Sequence, residues 1–288
     1  MAAISALWPA LGHRTLVMGI LNATPDSFSD GREASVEARV ARGLALAEAG
    51  ADVIDVGGES TRPGAPIVSA EEETARVVPV IEGLVRGGVA RISIDTTKAS
   101  VAQRAIEAGA CLVNDISAFR FDADMPRVVA DARVAVALMH TRARPEVMQE
   151  GPLEYEGGVV AAVKSALANA VAVGRAAGVG EDAMLLDPGI GFGKTVEDNL
   201  ELLRNLEVLA ELGPVLVGTS RKSFIGAITN KGVEDREMGT AATVALSIAR
   251  GAAMVRVHDV AAMVDVVRVA DAWCRGSSIL APGPISLR

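Results

Sequence analysis

Residues 49–58 read Ala49-Gly50-Ala51-Asp52-Val53-Ile54-Asp55-Val56-Gly57-Gly58. An alanine- and leucine-rich stretch stops on a glycine, and within two residues a short run of β-branched side chains begins. Glycine at such a joint suits the left-handed backbone that ends a helix. The run Asp52–Gly58 is nearly continuous in its apolar character, as a parallel strand covered on both faces should be. The joint recurs as Gly109-Ala110 ahead of Leu112–Asp115 and as Gly251-Ala252-Ala253 ahead of Met254–His258. Further runs of the same kind are Leu16–Asn22, Arg91–Thr97, Ala135–His140, Ala183–Gly189 and Pro214–Ser220, which brings the total to eight. The segments between them carry helical stripes. In Ser69–Val85, Ser69 and Glu72 are placed as a capping box ahead of Val77, Val78, Ile81 and Leu84. Eight strand-plus-helix units in 288 residues predict an α/β chain folded as a single-domain (β/α)8 barrel over residues 1–275, with residues 276–288 as a tail. A doubly wound open sheet is the alternative.

Composition narrows the function. Half the residues are apolar and only 3% are aromatic, too few for a platform that stacks single-stranded bases. The 28 basic and 36 acidic side chains leave a net charge of −8, which repels a nucleic-acid backbone, so any phosphate must be held by a local site. The opening stretch Met1–His13 lacks charge, but it is shorter than the roughly 18 residues a membrane span needs, and it has no basic leader region. A cytoplasmic protein with no membrane or nucleic-acid partner is expected. Cys111 and Cys274 belong to no Cys-x-x-Cys pair and read as ordinary thiols.

A barrel of this kind does its chemistry at the carboxyl ends of its strands. Polar residues gather there: Asn22, Asp55 and Glu59, Asp95, Asn114 and Asp115, His140, Asp187, Lys222, and Arg256 with His258. Asp115 and Thr97 also suit turns or caps. The glycine-rich stretch Gly189-Ile-Gly-Phe-Gly-Lys-Thr195 fails as a P-loop, because Pro188 stands where a glycine is needed. It fails as a dinucleotide fingerprint because Lys194 does. Its glycines are expected to let backbone approach a flat ligand, with Phe192 as an aromatic face. Ser220-Arg-Lys-Ser223 brings cations and free N–H groups to the turn after the seventh strand. Arg256 and His258, two residues apart, point to one side of their strand, where with Asn22 they can clamp a phosphate. With only His13, His140 and His258, a zinc site is not expected, and His140 reads as a hydrogen-bonding residue of the barrel mouth.

From Val17 to about Trp273 the chain resembles the dihydropteroate synthase family. The motifs are Met18-Gly-Ile-Leu-Asn-Ala-Thr-Pro-Asp-Ser-Phe-Ser-Asp-Gly31, Gly58-Glu-Ser-Thr-Arg-Pro-Gly-Ala65, Ser93-Ile-Asp-Thr96, Val113-Asn-Asp115, Leu186-Asp-Pro-Gly-Ile-Gly-Phe-Gly-Lys194, Ser220-Arg-Lys-Ser223 and Arg256-Val-His-Asp259. The resemblance implies a TIM barrel that joins 6-hydroxymethyl-7,8-dihydropterin pyrophosphate to p-aminobenzoate by a dissociative route. It implies a pterin pocket of Asp95, Asn114, Asp187 and Lys222, and a pyrophosphate clamp of Asn22, Arg256 and His258, with Mg²⁺ held at Asn22. It also implies a p-aminobenzoate site of Thr61, Arg62, Pro63, Phe192, Lys222 and Ser223, with Asp95, Lys222, Arg256 and Asn22 as the catalytic set. Mobile loops Asn22–Gly31 and Gly58–Ala65, and a homodimer, belong to the same expectation. Thr141, Ala143 and Ala118 depart from the family pattern, which favours Met, Gly and Gly there. A non-catalytic pterin-binding paralogue and a corrinoid-type pterin methyltransferase are the alternatives.

Overall fold

The structure, a computed structural model, describes residues 11–24, 35–62, 64–150 and 153–276. Pro63, residues 25–31 of the first loop and the tail from residue 277 lie outside the described residues. Eight parallel strands close into a barrel in sequence order, each paired with its neighbours and β8 with β1. They are β1 (Leu16–Asn22), β2 (Val53–Gly57), β3 (Ile92–Asp95), β4 (Leu112–Asp115), β5 (Ala135–Met139), β6 (Met184–Asp187), β7 (Val215–Val217) and β8 (Ala252–Val257). Around them run α1 (Val36–Glu48), α2 (Ala70–Arg86), α3 (Ala99–Glu107), α4 (Met125–Ala132), α5 (Val159–Ala177), α6 (Val196–Arg204), α7 (Leu206–Ala210), α8 (Ser223–Thr229), α9 (Glu237–Ala249) and α10 (Val260–Arg275).

The repeated glycine joint does what its sequence suggests. Gly50, Gly109 and Gly251 take φ of +104°, +119° and +92°, the left-handed region that lets the chain leave a helix and turn directly into the next strand. Strands β3 and β6 keep only four residues each, Ile92–Asp95 and Met184–Asp187, and two further strands differ more. Strand β8 starts earlier, at Ala252, where two alanines carry no β-branched signal. Strand β7 is reduced to three residues, with a register shift at Val215/Leu216. Ser69 caps α2 by accepting from Glu72 N at 3.1 Å, but the Glu72 carboxylate pairs with Arg76, so only half of the expected capping box forms. Helix α5 has 19 residues and a mean hydropathy of 1.4, long and apolar enough to cross a membrane. Here Val163, Leu167 and Ala170 face the main core.

The core has two layers. Most buried apolar side chains lie between barrel and helices, while Leu16, Met18, Val53, Leu112, Ala135, Ala137, Leu185, Leu216 and Met254 fill the barrel itself. Successive strand residues point to opposite faces. Moving two residues on from these plugs therefore keeps each strand on the inner face, at Asp55, Asn114, Asp187 and Arg256. The barrel interior thus changes from apolar to charged at one end, and that end carries the site.

Candidate active site

The centre of the site is a buried carboxylate to which the sequence gives no role beyond a polar strand end. Asp55, with no exposed surface, accepts from Arg256 Nε at 2.6 Å and from Asn114 Nδ2 at 3.1 Å. Arg256 spends Nη2 on Asp95 at 2.7 Å, so one guanidinium holds two acids, and Asp95 lies opposite Asn114 in register. Burial pushes the Asp95 carboxyl up to about 7, with Arg256 pulling the other way and favouring its ionised form. Asp55 Oδ1 and the hydroxyl of Ser93, its register partner, are buried without a hydrogen-bond partner. Such orphaned polar atoms mark a place where a ligand's hydrogen-bonding groups are received.

Asp187 sits at the end of β6, accepts from Gly189 N at 2.7 Å, and is raised to about 6 by burial. Lys222 precedes α8 and lays its ammonium 4.1 Å from the centre of the Phe192 ring, a cation–π contact. Burial lowers Lys222 to about 8, with Arg256 pushing the same way. His258 is brought down to about 3 by burial and by the cations Arg256, Arg221 and Lys222, so it is neutral at pH 7. Ser220 Oγ accepts from His258 N at 3.2 Å and lies 2.9 Å from Nδ1. With the hydroxyl donating to Nδ1, the imidazole proton rests on Nε2, which becomes a neutral donor.

The glycines of 189–193 are required by the protein's own packing. At Gly189 a Cβ would lie 1.8 Å from His140 O, at Gly191 3.0 Å from Lys222 Cδ, and at Gly193 2.8 Å from Met148 O, with φ positive at all three. They make room for the protein's own loop after β5 and for Lys222. Lys194 completes this loop: its buried ammonium donates to Gly189 O at 2.9 Å and Phe192 O at 3.1 Å and lies 3.0 Å from His140 Nδ1. The only sequence signal for this role is a lysine where a nucleotide motif would require glycine. His140, lowered to about 3 chiefly by burial, is a neutral partner in that cradle.

The remaining expected residues are more dispersed. Asn22 is exposed at the rim of β1, opposite Gly57, whereas Arg256 lies deeper, opposite Met18. Thr61 is half-buried, Arg62 and Ser223 are exposed, and Pro63 lies outside the described residues. Asp115 is a turn former: its carboxylate accepts from Ser117 N, Ser117 Oγ and Phe119 N. Ala118 takes φ of +51°, a strained value for alanine and one that glycine adopts freely. A cavity of about 190 Å³ opens beside Asp95, walled by Thr61, Lys98, Phe121 and Arg144 among others, while Asp187, Lys222 and Arg256 stand outside its walls. The site is therefore wider than this one cavity.

Comparison with known proteins agrees with this geometry. The model of the family described as "Pterin binding enzyme" matches residues 18–258. A dihydropteroate synthase of Synechocystis sp. is 47% identical over 92% of each chain. The structure of the Xanthomonas albilineans dihydropteroate synthase with 4-aminobenzoic acid superposes with a TM-score of 0.84 at 47% identity, covering 90% of this chain and 93% of that one. A structure of the Xanthomonas albilineans synthase in complex with 7,8-dihydropteroate gives 0.81 at 45% identity, covering 90% and 94%.

Proposed function

The chain belongs to the dihydropteroate synthase family of pterin-binding enzymes, and from that premise we propose how its residues divide the reaction. The enzyme is a transferase of folate synthesis: it moves the pterin methylene from 6-hydroxymethyl-7,8-dihydropterin pyrophosphate to the amine of p-aminobenzoate, giving 7,8-dihydropteroate and pyrophosphate. The observation that carries the assignment of roles is the network in which Arg256 joins Asp55 and Asp95 while Asn114 joins Asp55, with Asp187 at the end of β6.

A pterin edge presents a ring N–H and an exocyclic amine, two donors that suit the ionised carboxylate of Asp187. Asn114 both gives and accepts, and serves the other ring edges. Asp95, whose ionised form Arg256 favours, places negative charge where the methylene becomes cationic as pyrophosphate departs, the dissociative order of events. Lys222, the guanidinium N–H groups of Arg256 not engaged with Asp55 and Asp95, and the Nε2–H of His258 supply donors for the leaving anion. Once the C–O bond to pyrophosphate has broken, the aryl amine attacks the methylene as a neutral nucleophile, the C–N bond forms, and the amine proton passes to the released pyrophosphate. Thr61, Arg62, Pro63, Phe192, Lys222 and Ser223 form the p-aminobenzoate site, with Lys222 shared between the two substrates through its place over Phe192. The loops 22–31 and 58–65 keep water from the cation.

Asn22 offers one amide oxygen at the rim, a donor set that fits Mg²⁺ arriving with the pyrophosphate rather than a site built from side chains. Asn22 would hold the ion there, and it would supply charge neutralisation to the leaving group. The chain acts in the cytoplasm as a homodimer. The adjoining helices α9 and α10 leave Met238, Leu246, Val269 and Trp273 exposed, and a second copy would cover such apolar surface. Mass spectrometry of the purified protein with both substrates and Mg²⁺ tests the reading: 7,8-dihydropteroate should form, and its absence at saturating substrate would contradict it.

A further inference from the structure

The loop after β2 carries Thr61 and Arg62; near its tip Gly64 N donates to Pro145 O at 3.3 Å, and its side-chain ties to the barrel and to α2 lie at its base. Glu59 Oε1 accepts from Val68 N at 3.1 Å, so one side chain ties the loop's start to its end, nine residues on. The other oxygen, Oε2, is paired with Lys98 Nζ, and the same ammonium donates to Glu73 Oε2 at 2.6 Å. Glu73 comes from α2 and has no exposed surface. Arg76, one turn further along α2, donates to Gly58 O at 2.8 Å. A Cβ at Gly58 would lie 2.8 Å from Val77 Cγ1 and 2.9 Å from Glu73 Cγ, so the loop starts in direct contact with this helix. Lys98 follows Asp95 by three residues, and Lys98, Glu59, Glu73 and Thr61 share the walls of the 190 Å³ cavity.

We propose that Glu59, Lys98 and Glu73 form a clasp that sets the position of the 60–67 loop, which makes Lys98 a positioning residue for the second substrate. This rests on the reading that Thr61 and Arg62 bind p-aminobenzoate. One cation stands between two carboxylates. Without it, Glu59 and Glu73 confront each other as like charges in a partly buried place. Glu73 is enclosed by α2 and cannot leave, whereas Glu59 is one-fifth exposed and can swing out, giving up Val68 N. The loop then loses the tie between its ends. Asp95, Asn114, Asp187 and Arg256 stand on barrel strands held by ladder bonds and by their own network, so they stay in place. The clasp therefore acts on one substrate and not on the other.

Lys98→Met tests this by steady-state kinetics together with hydrogen exchange at the Val68 amide. The expected result is a KM for p-aminobenzoate about tenfold higher or more, with kcat and the KM for the pterin pyrophosphate within about twofold, and faster Val68 exchange. Lys98→Arg, which keeps the cation, should bring KM for p-aminobenzoate back to within about threefold of the parent. An unchanged KM for p-aminobenzoate, an equal rise in both KM values, or arginine as damaging as methionine would overturn the proposal. If Lys98→Met does not fold, Glu59→Ala and Glu59→Gln carry the same test: alanine removes the acceptor of Val68 N and should raise the KM more than glutamine, which keeps it, and equal effects would overturn the proposal. Arg62→Ala, measured alongside, separates the two readings. If its KM for p-aminobenzoate does not move, the substrate assignment of the loop falls, while Val68 exchange still judges the clasp alone.

Discussion

Replacing Asp187 with asparagine should make the protein more stable and unable to hold pterin. The carboxyl is raised from 3.8 to about 6, chiefly by burial, so its ionised form is unfavourable in the fold. A shift of this size corresponds to on the order of 3 kcal/mol, present above about pH 6, shrinking as pH falls through that value, and gone below the unfolded value near 3.8. Asparagine avoids that cost and can still accept from Gly189 N through Oδ1. It offers the ligand an NH₂ group where a carboxylate oxygen stood, however, and two pterin donors then face a donor. A buried mismatch of that kind weakens binding by about 10⁴-fold. Calorimetry with the dihydropterin pyrophosphate should show no measurable heat of binding. Thermal melts should show Asp187→Asn several degrees above the parent at pH 8, with the gap closing toward pH 4, at roughly 2–4 °C per kcal/mol. Affinity within tenfold of the parent would refute the edge assignment, and a variant that melts lower at pH 8 would refute the burial argument.

Arg256→Ala should lower kcat by about 10²–10³, because the leaving anion loses a donor and Asp95 loses the cation beside it; rapid-quench turnover measures this, and a kcat within threefold of the parent would move the pyrophosphate elsewhere. The pH profile of kcat/KM for the pterin substrate should rise between about 6 and about 7 as Asp187 and Asp95 ionise and fall through about 8 as Lys222 loses its proton; a flat profile from pH 5 to 9 would contradict those roles. Gly189→Ala forces a Cβ to within 1.8 Å of His140 O at a φ of +68°, so it should lower the melting temperature sharply or abolish folding. A variant as stable as the parent on thermal denaturation would show that the loop has another way to pass.

The barrel was legible in the sequence because its signals are local. A helix stop on glycine and a short β-branched run repeat in register with the fold, and the polar residues that close the runs stand at the strand ends. Strand β8 shows where this fails: Ala252 and Ala253 belong to the ladder, but alanine carries no strand signal. The site was legible as a set of residues and not as a network. Nothing in the spacing of Asp55, Asn114 and Arg256 tells that one carboxylate joins the other two, because they come from β2, β4 and β8 and meet only when the barrel closes. Lys194 is hidden for a related reason. Its partners are the carbonyls of its own loop and a histidine 54 residues away, so no short motif announces it. The packing role of the glycines around it has no sequence signal, because the sequence does not show that the loop after β5 comes this close.

The most direct measurement is pyrophosphate release from 6-hydroxymethyl-7,8-dihydropterin pyrophosphate by the purified protein with Mg²⁺, followed with and without p-aminobenzoate. Sustained release only when p-aminobenzoate is present, matched mole for mole by 7,8-dihydropteroate, is the predicted result. Tight pterin binding with no release under either condition would contradict the account and leave a binding protein or a methyltransferase in its place.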